Sequence, residues 1–243
     1  MEFILLTPRS LNSRFRAIWT SILLSTPPNF ADRLEELTSF VTIDALNNLE
    51  LITEIDITVV AISIGAYWHQ DLQELRTRLL GLQSRSNADI QELVLAYAIA
   101  LGCRDELKPQ SFINQIYCDF NKRRLLSHDL KSQQQCLEQL QLAQEFVDRG
   151  ASAISAHRAN GLFDAIASSL YYFLSTPHSW QIITERAQRH PNSNNLQITI
   201  QSGAIASAYL GEIGNITNLN RDILTKGAII GDRLWTEWAG VYD

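Results

Sequence analysis

An all-α fold is predicted from three features of the sequence. The 243 residues include only 11 glycines and 6 prolines, which is below average usage and disfavours the many turns of a β-sandwich. Apolar residues make up 46% of the chain and charged residues 19%, a balance that can bury a core. Apolar side chains also recur at helical spacing wherever a period can be counted. We therefore expect residues 1–243 to form one all-α domain.

Helices are predicted where this spacing lies between residues that cap or end a helix. Pro27 and Pro28 end the first helix, because proline lacks a backbone donor and restricts the residue before it. Ser86, Asn87 and Asp89 are N-cap types that precede another helix. The predicted helices cover residues 14–24, 31–51, 57–68, 71–82, 90–101, 110–126, 129–147, 160–174, 180–189 and 196–210.

The segment 57–68 is ambiguous when it is taken alone. Its β-branched residues Ile57, Thr58 and Val59 suit a strand, but a buried helix gives the same pattern over so short a run. We predict a helix, because no second run of comparable strength offers a partner strand.

The segment 202–208, Ser-Gly-Ala-Ile-Ala-Ser-Ala, is rich in small residues. Small side chains let two helices approach closely, so we expect this helix to cross another helix deep in the core. Gly211 follows and is predicted to cap the end of the helix. A dinucleotide-binding turn at 211–214 is disfavoured, because the third glycine is missing and a helix precedes the turn instead of a strand.

Charge, cysteines and hydropathy limit the classes of function. A net charge of −6 gives no overall attraction to nucleic acid or anionic lipid, so neither is expected as a partner. Cys103, Cys118 and Cys136 form no Cys-x-x-Cys pair, which fits reduced thiols in the cytoplasm. The longest uncharged apolar run, 57–68, is shorter than the ~20 residues of a membrane span, and no signal-peptide cleavage pattern follows the amino-terminal residues. We expect a cytoplasmic protein without membrane insertion.

Common catalytic and cofactor motifs are missing from the sequence. It contains no P-loop, His-Glu-x-x-His, Gly-x-Ser-x-Gly or EF-hand pattern. No cofactor, no metal site and no catalytic residue is predicted from such motifs.

Two stretches in the last third of the chain carry the functional signal. Residues 160–177, Asn-Gly-Leu-Phe-Asp-Ala-Ile-Ala-Ser-Ser-Leu-Tyr-Tyr-Phe-Leu-Ser-Thr-Pro, lead through a short helix and a polar loop into 202–211, Ser-Gly-Ala-Ile-Ala-Ser-Ala-Tyr-Leu-Gly. This order resembles the carboxyl-terminal part of the ADP-ribosylglycohydrolase family, which includes the dinitrogenase-reductase-activating glycohydrolases. Residues 13–18 resemble the first helix of that family. The most similar branch looks cyanobacterial. The resemblance implies a shortened form of the family's all-α fold, an orthogonal multi-helix bundle.

The resemblance also identifies what this chain has lost. Family enzymes hold two magnesium ions with carboxylates from a Gly-Gly-Asp-Thr-Asp loop and from an earlier Thr-Asp-Asp cluster. Counted back from Gly203, the loop falls on residues 192–196, so its two aspartates become Asn194 and Leu196. Magnesium needs several anionic oxygen ligands, whereas asparagine offers a neutral oxygen and leucine offers none. Before residue 61 the only adjacent carboxylates, at 35–36, are typical of a solvated helix surface.

Isolated polar residues have structural explanations. Asp164 is predicted to lie on the central helix as a buried group satisfied by a neighbouring helix. His69, His157 and His178 form no recognised catalytic or metal-ligand pattern with a carboxylate or cysteine in the sequence, so structural or surface roles are favoured over general-base catalysis. The basic run 122–124 suits a helix end.

The predicted function is therefore binding without catalysis. We expect a catalytically inactive ADP-ribosylglycohydrolase-like protein, a pseudoenzyme, that binds a protein partner or an ADP-ribose-like ligand. Asn192, Asn194 and Asn195 are expected to contact the ligand. Trp235 and Trp238 either dock on the core, which we favour, or anchor a protein partner. The alternatives are an active hydrolase with a remodelled site and an unrelated helical adaptor.

Overall fold

The computed structural model describes residues 9–39, 53–83, 90–123, 130–157, 161–162, 164–191, 194–214 and 221–241. Within these ranges all regular structure is helical, which confirms the predicted all-α class. Besides a 3₁₀ turn at Pro28–Phe30, the helices are α1 (Leu11–Ser25), α2 (Ala31–Ser39), α3 (Glu54–Tyr67), α4 (Leu72–Gln83), α5 (Ile90–Cys103), α6 (Phe112–Arg123), α7 (Leu130–Asp148), α8 (Ala153–Ala156), α9 (Ala165–Ser175), α10 (Trp180–Gln188), α11 (Asn195–Leu210) and α12 (Arg221–Ala239).

The ambiguous segment 57–68 belongs to α3, so the prediction of a helix is confirmed. Thr53 caps this helix: its hydroxyl accepts from the backbone N–H of Asp56, and the Asp56 carboxylate accepts from the N–H of Thr53. This reciprocal capping box satisfies two backbone donors at the helix start. Every residue from Thr58 to Ala66 is buried, which explains why the sequence shows no polar stripe.

Helices α5 and α11 form the centre of the bundle. Every residue of α5 except Gln91 is buried, and so is every residue of α11 from Ile198 to Ala208. Helix α11 packs against α1, α5, α9 and α10, while α3 covers α5 from another side. Helices surrounded in this way are apolar on all faces.

Helices α5, α9 and α11 run in the same direction. At one end, the Gln91 side-chain oxygen accepts from the backbone N–H of Ile166 at 3.4 Å, which joins the starts of α5 and α9. At the other end, the Arg14 guanidinium donates to the carbonyl oxygens of Gly102 and Tyr209, which joins the ends of α5 and α11. The amino-terminal ends of all three helices therefore lie at the same end of the bundle.

The predicted close crossing of the segment 202–208 is confirmed. A Cβ atom added at Gly203 would lie 2.5 Å from the Ser21 hydroxyl oxygen of α1. One added at Gly102 in α5 would lie 2.8 Å from the Cβ of Ala208. These distances are shorter than ordinary van der Waals contact, so the small residues set how closely α11 approaches its two neighbours.

Helix α12 was not predicted. It packs along α1, and its glycines Gly227 and Gly231 lie directly against the backbone of that helix. A Cβ atom at Gly227 would lie 2.6 Å from the Thr20 Cα, and one at Gly231 would lie 2.7 Å from the Arg16 Cα. Glycine lowers helix propensity, so local sequence hides a helix whose glycines are needed for close packing.

The start of the predicted helix 160–174 is wrong. Helix α9 begins at Ala165, and Asp164 is its N-cap with φ −70° and ψ 137°. Asp164 is therefore not inside the central helix as predicted, but at the end position that short polar side chains favour. It is half-buried. The predicted cap at Gly211 is confirmed, because this residue has φ +70° and follows the last residue of α11.

Some predictions fall outside the described residues. These are the part of the helix 31–51 beyond Ser39, residues 124–126, 129, 160 and 163 of other predicted helices, the N-cap residues Ser86, Asn87 and Asp89, and Asn192. Among the helices of the described ranges, none is long and apolar enough to cross a membrane. Cys103, Cys118 and Cys136, all within the described ranges, form no disulfide bond.

Candidate functional site

The candidate site begins where the loop that resembles the family's metal loop enters α11. Asn194 is the N-cap of α11, with φ −84° and ψ 16°, and Asn195 is the first helical residue. Both are exposed, whereas Leu196 is half-buried and packs against the hydrophobic core. One of the two positions that the resemblance assigns to metal-binding aspartates is thus a surface amide, and the other is an apolar packing residue.

The start of α11 contacts the start of α3. The Gln197 side-chain amide donates to the Thr58 hydroxyl oxygen at 3.1 Å. Thr58 is fully buried in the second turn of α3. Helices α5 and α9 begin at the same end. Glu54 and Asp56 in the first turn of α3 and Glu92 in that of α5 offset the dipoles of their helices, whereas the first turn of α11 carries no acidic residue.

A buried carboxylate lies at the same end of α3, but it already has a cationic partner. The Arg33 guanidinium donates to the Asp56 carboxylate from Nη2 at 2.9 Å, and to Glu36 from Nη1 at 2.7 Å. Asp56 is only 3% exposed. The hydrogen bond to Asp56 raises the pKa of Arg33, against an opposing effect of burial. Asp56 therefore serves an ion pair and a helix cap, two structural roles.

Metal-ligating side chains do not cluster in the described part of the chain. No three side chains of His, Cys, Asp or Glu come together there in an arrangement that could hold a metal ion. The amides of Asn194, Asn195 and Gln197 lie at the N-cap and in the first turn of α11, and amides suit hydrogen bonding to a neutral or anionic ligand.

A second polar region is an open groove of about 620 Å³ between α1 and the turn that follows α11. Its cations are already paired: Arg9 with Glu212, and Arg16 with Asp232 through two hydrogen bonds of 2.6 and 2.8 Å. These internal ion pairs compensate the groove's arginines, which leaves little net attraction for an anion.

The two tryptophans of α12 contact the body of the protein. Trp235 is half-buried and packs against the hydrophobic core. The Trp238 ring lies 4.9 Å from the His69 ring, centroid to centroid. His69 is 2% exposed, its Nδ1 lies 2.7 Å from the Ala66 carbonyl oxygen, and burial lowers its pKa. These contacts favour docking over an exposed anchor, and they fit a structural role for His69.

The other candidate residues are separated in space. His178 is exposed in the turn before α10. Of the basic run 122–124, the first two residues end α6, and Arg124 and the side chains of the run fall outside the described residues. His157, isolated in sequence, lies beside His190, with ring centroids 4.3 Å apart. This contact joins residues 33 positions apart in the sequence, and no local pattern predicts it.

Sequence reasoning missed the residues that organise this end of the bundle. The Thr53–Asp56 spacing is that of a capping box and could have located the start of α3. The partners Arg33 and Gln197 come from distant segments, so no local spacing could have identified them.

Comparison of the chain with protein-family models, curated proteins and solved structures finds no match.

Proposed function

We propose that this chain is a non-catalytic relative of the ADP-ribosylglycohydrolases that binds an ADP-ribose-like ligand or a protein without hydrolysing it. The proposal rests on the residues at the two loop positions that the resemblance assigns to metal-binding aspartates. Asn194 offers a neutral amide at the surface, and Leu196 packs against the core. Two magnesium ions need anionic oxygens close together, which this pair of residues does not supply.

The ion pair of Asp56 at the start of α3 supports the same proposal. Asp56 is a buried carboxylate in the first turn of α3, and it accepts hydrogen bonds from Arg33 and from the backbone N–H of Thr53. Recruiting Asp56 to a metal would break both interactions and leave the guanidinium beside a dication. The ion pair therefore stabilises the scaffold at the expense of a metal-binding carboxylate.

Ligand binding needs only polar groups that are accessible. The exposed amides of Asn194 and Asn195 can each donate and accept hydrogen bonds. The first turn of α11 carries no acidic residue, so its backbone N–H groups favour a negatively charged group such as a diphosphate. These features suit a ligand with hydroxyl and phosphate oxygens, which is the chemistry of ADP-ribose.

Calorimetric titration tests the proposal. ADP-ribose is titrated into the wild-type chain and into Asn194→Ala/Asn195→Ala, with Asn114→Ala, an exposed position on α6, as the matched control. We expect the double variant to weaken ADP-ribose binding at least tenfold, about 1.4 kcal/mol, and the control to bind like the wild type. Binding that is equal in all three proteins would leave only the protein-binding form of the proposal, which a pull-down against the same variants then tests.

Two measurements can overturn the proposal as a whole. The first is a titration with magnesium, with and without ADP-ribose, in which micromolar binding of two ions would contradict a lost metal site. The second is an assay for release of ADP-ribose from an ADP-ribosylated protein. Turnover abolished by Asn194→Ala would favour the alternative of an active hydrolase with a remodelled site.

A further inference from the structure

A cluster of aromatic and basic side chains joins α8, α9 and α10 at one corner of the bundle. We call it the histidine cluster: His157, Tyr171, Tyr172, Arg186 and His190. The His157 and His190 rings meet edge to face at an interplanar angle of 81°, with centroids 4.3 Å apart. Both rings also pack on Tyr172, at 5.7 and 6.0 Å. His190 is 5% exposed, and His157 is half-buried.

Hydrogen bonds determine where a proton can sit on these rings. His157 Nδ1 lies 3.3 Å from the Leu162 carbonyl oxygen, which only accepts, so Nδ1 carries the hydrogen in the neutral ring. His157 Nε2 is buried and has no hydrogen-bond partner among the described residues. Protonating Nε2 would bury an N–H group without an acceptor there, which is costly.

The second ring is constrained as well. His190 Nδ1 lies 3.1 Å from the Tyr172 hydroxyl, which can donate to it or accept from it. Burial raises the pKa of Tyr172 to about 12, so this hydroxyl stays neutral and cannot balance a positive imidazolium. Protonating His190 would therefore place a charge in a nearly buried site without an opposite charge from this tyrosine.

Arg186 is the cationic member of the histidine cluster. The Arg186 guanidinium lies 5.5 Å from the Tyr172 ring centroid and 5.7 Å from that of Tyr171. Tyr171 in turn donates to the Ala151 carbonyl oxygen at the end of α7. Protonation of both histidines would place two positive charges on rings 4.3 Å apart, which would repel each other, and Arg186 supplies no opposite charge.

We propose that protonation of His157 and His190 opens this corner of the bundle, so that α8 and the residues after α10 separate from α9 in mild acid. The geometry of the closed corner favours neutral rings over protonated rings. This pH-dependent opening, the device tested below, does not depend on the proposed binding function. It would expose the faces of Tyr171 and Tyr172.

The titration behaviour gives the direction and the pH range. Burial, with a smaller effect of His157, lowers the pKa of His190 to about 4, and burial lowers the pKa of His157. In the open form both rings recover a pKa near 6.5. The open form therefore binds protons more tightly, so the closed form is fully stable above pH 6.5 and loses stability as the pH falls from 6.5 toward 4. For His190 alone, the open fraction should rise about 30-fold between pH 7.5 and 5.0.

Hydrogen exchange measured by mass spectrometry tests the device, with rates corrected for the intrinsic pH dependence. We expect peptides containing residues 153–157 and 180–191 to lose protection at pH 5.0, while α5 peptides stay protected. His157→Gln/His190→Gln should remove this pH dependence. His178→Gln, at an exposed histidine in the turn before α10, should keep it. Unchanged protection in the wild type, or the same pH response in the double variant, would overturn the proposal.

A second measurement avoids variants that fold poorly. The histidine rings of the wild-type chain are titrated by NMR through their carbon-bound protons. We expect His157 and His190 to stay neutral down to pH 6 and then to titrate together with the local loss of protection. Titration of either ring at or above pH 6.5 in the closed protein would contradict the device.

Discussion

Arg14 donates from Nη1 to the carbonyl oxygen of Gly102 at 3.0 Å, near the end of α5. The same nitrogen donates to the Tyr209 carbonyl oxygen at 2.7 Å near the end of α11, and Nη2 donates to Asp105 at 2.6 Å. Arg14 is 3% exposed. One buried cation thus satisfies terminal carbonyl oxygens of the two central helices, at the ends where helix dipoles are negative.

Arg14→Met should destabilise the protein by about 3 kcal/mol, because it leaves buried carbonyl oxygens without donors. The matched control is Arg16→Met on the same helix. Arg16 pairs with Asp232 at the surface, with 52% of its side chain exposed, so its loss should cost at most about 1 kcal/mol. Urea unfolding followed by circular dichroism measures both values. Equal losses would show that Arg14 does not link the two helices.

Gly231→Ala should separate α12 from α1. The added Cβ atom would lie 2.7 Å from the Arg16 backbone, so we expect a loss of about 1–3 kcal/mol from overpacking. Gly81→Ala is the control, since an added Cβ atom there meets nothing within 4 Å inside α4. It should stabilise the protein by about 0.5–1 kcal/mol, because alanine loses less backbone entropy than glycine. Thermal melts giving the same sign for both changes would contradict the close crossing.

Ala206→Leu tests the central position of α11. Ala206 is fully buried, and extra methyl and methylene groups in a dense core typically cost about 1–3 kcal/mol. The melting temperature should fall clearly, whereas Ala239→Leu at the exposed end of α12 should leave it nearly unchanged. An unaltered melt for Ala206→Leu would mean that α11 has room at this position.

Trp235→Ala/Trp238→Ala distinguishes docking from a partner anchor. Because Trp235 packs on the core and Trp238 lies against His69, we expect the double change to lower stability by about 3 kcal/mol. An anchor would lose partner binding and keep the parental urea midpoint. A double variant that unfolds like the parent and retains the same partners in a pull-down would exclude both roles.

Helix class and core position were predictable from the sequence because they follow from local periodicity and residue size. The apolar run of α3 and the small residues of α11 have few alternatives in a chain without partner strands. The cap at Gly211 was likewise predictable, since a left-handed residue after a helix is most often glycine. Asp164 was misplaced because helical spacing alone extends a helix through its cap.

Tertiary structure decided the relationships between distant residues. The ion pair of Asp56 with Arg33, the contact of Gln197 with Thr58 and the pairing of His157 with His190 join segments with no shared local pattern. Helix α12 depends on a glycine surface whose benefit appears only when α1 lies against it. Propensity and periodicity describe a residue's neighbours along the chain, whereas burial, desolvation and close packing depend on neighbours that only folding supplies.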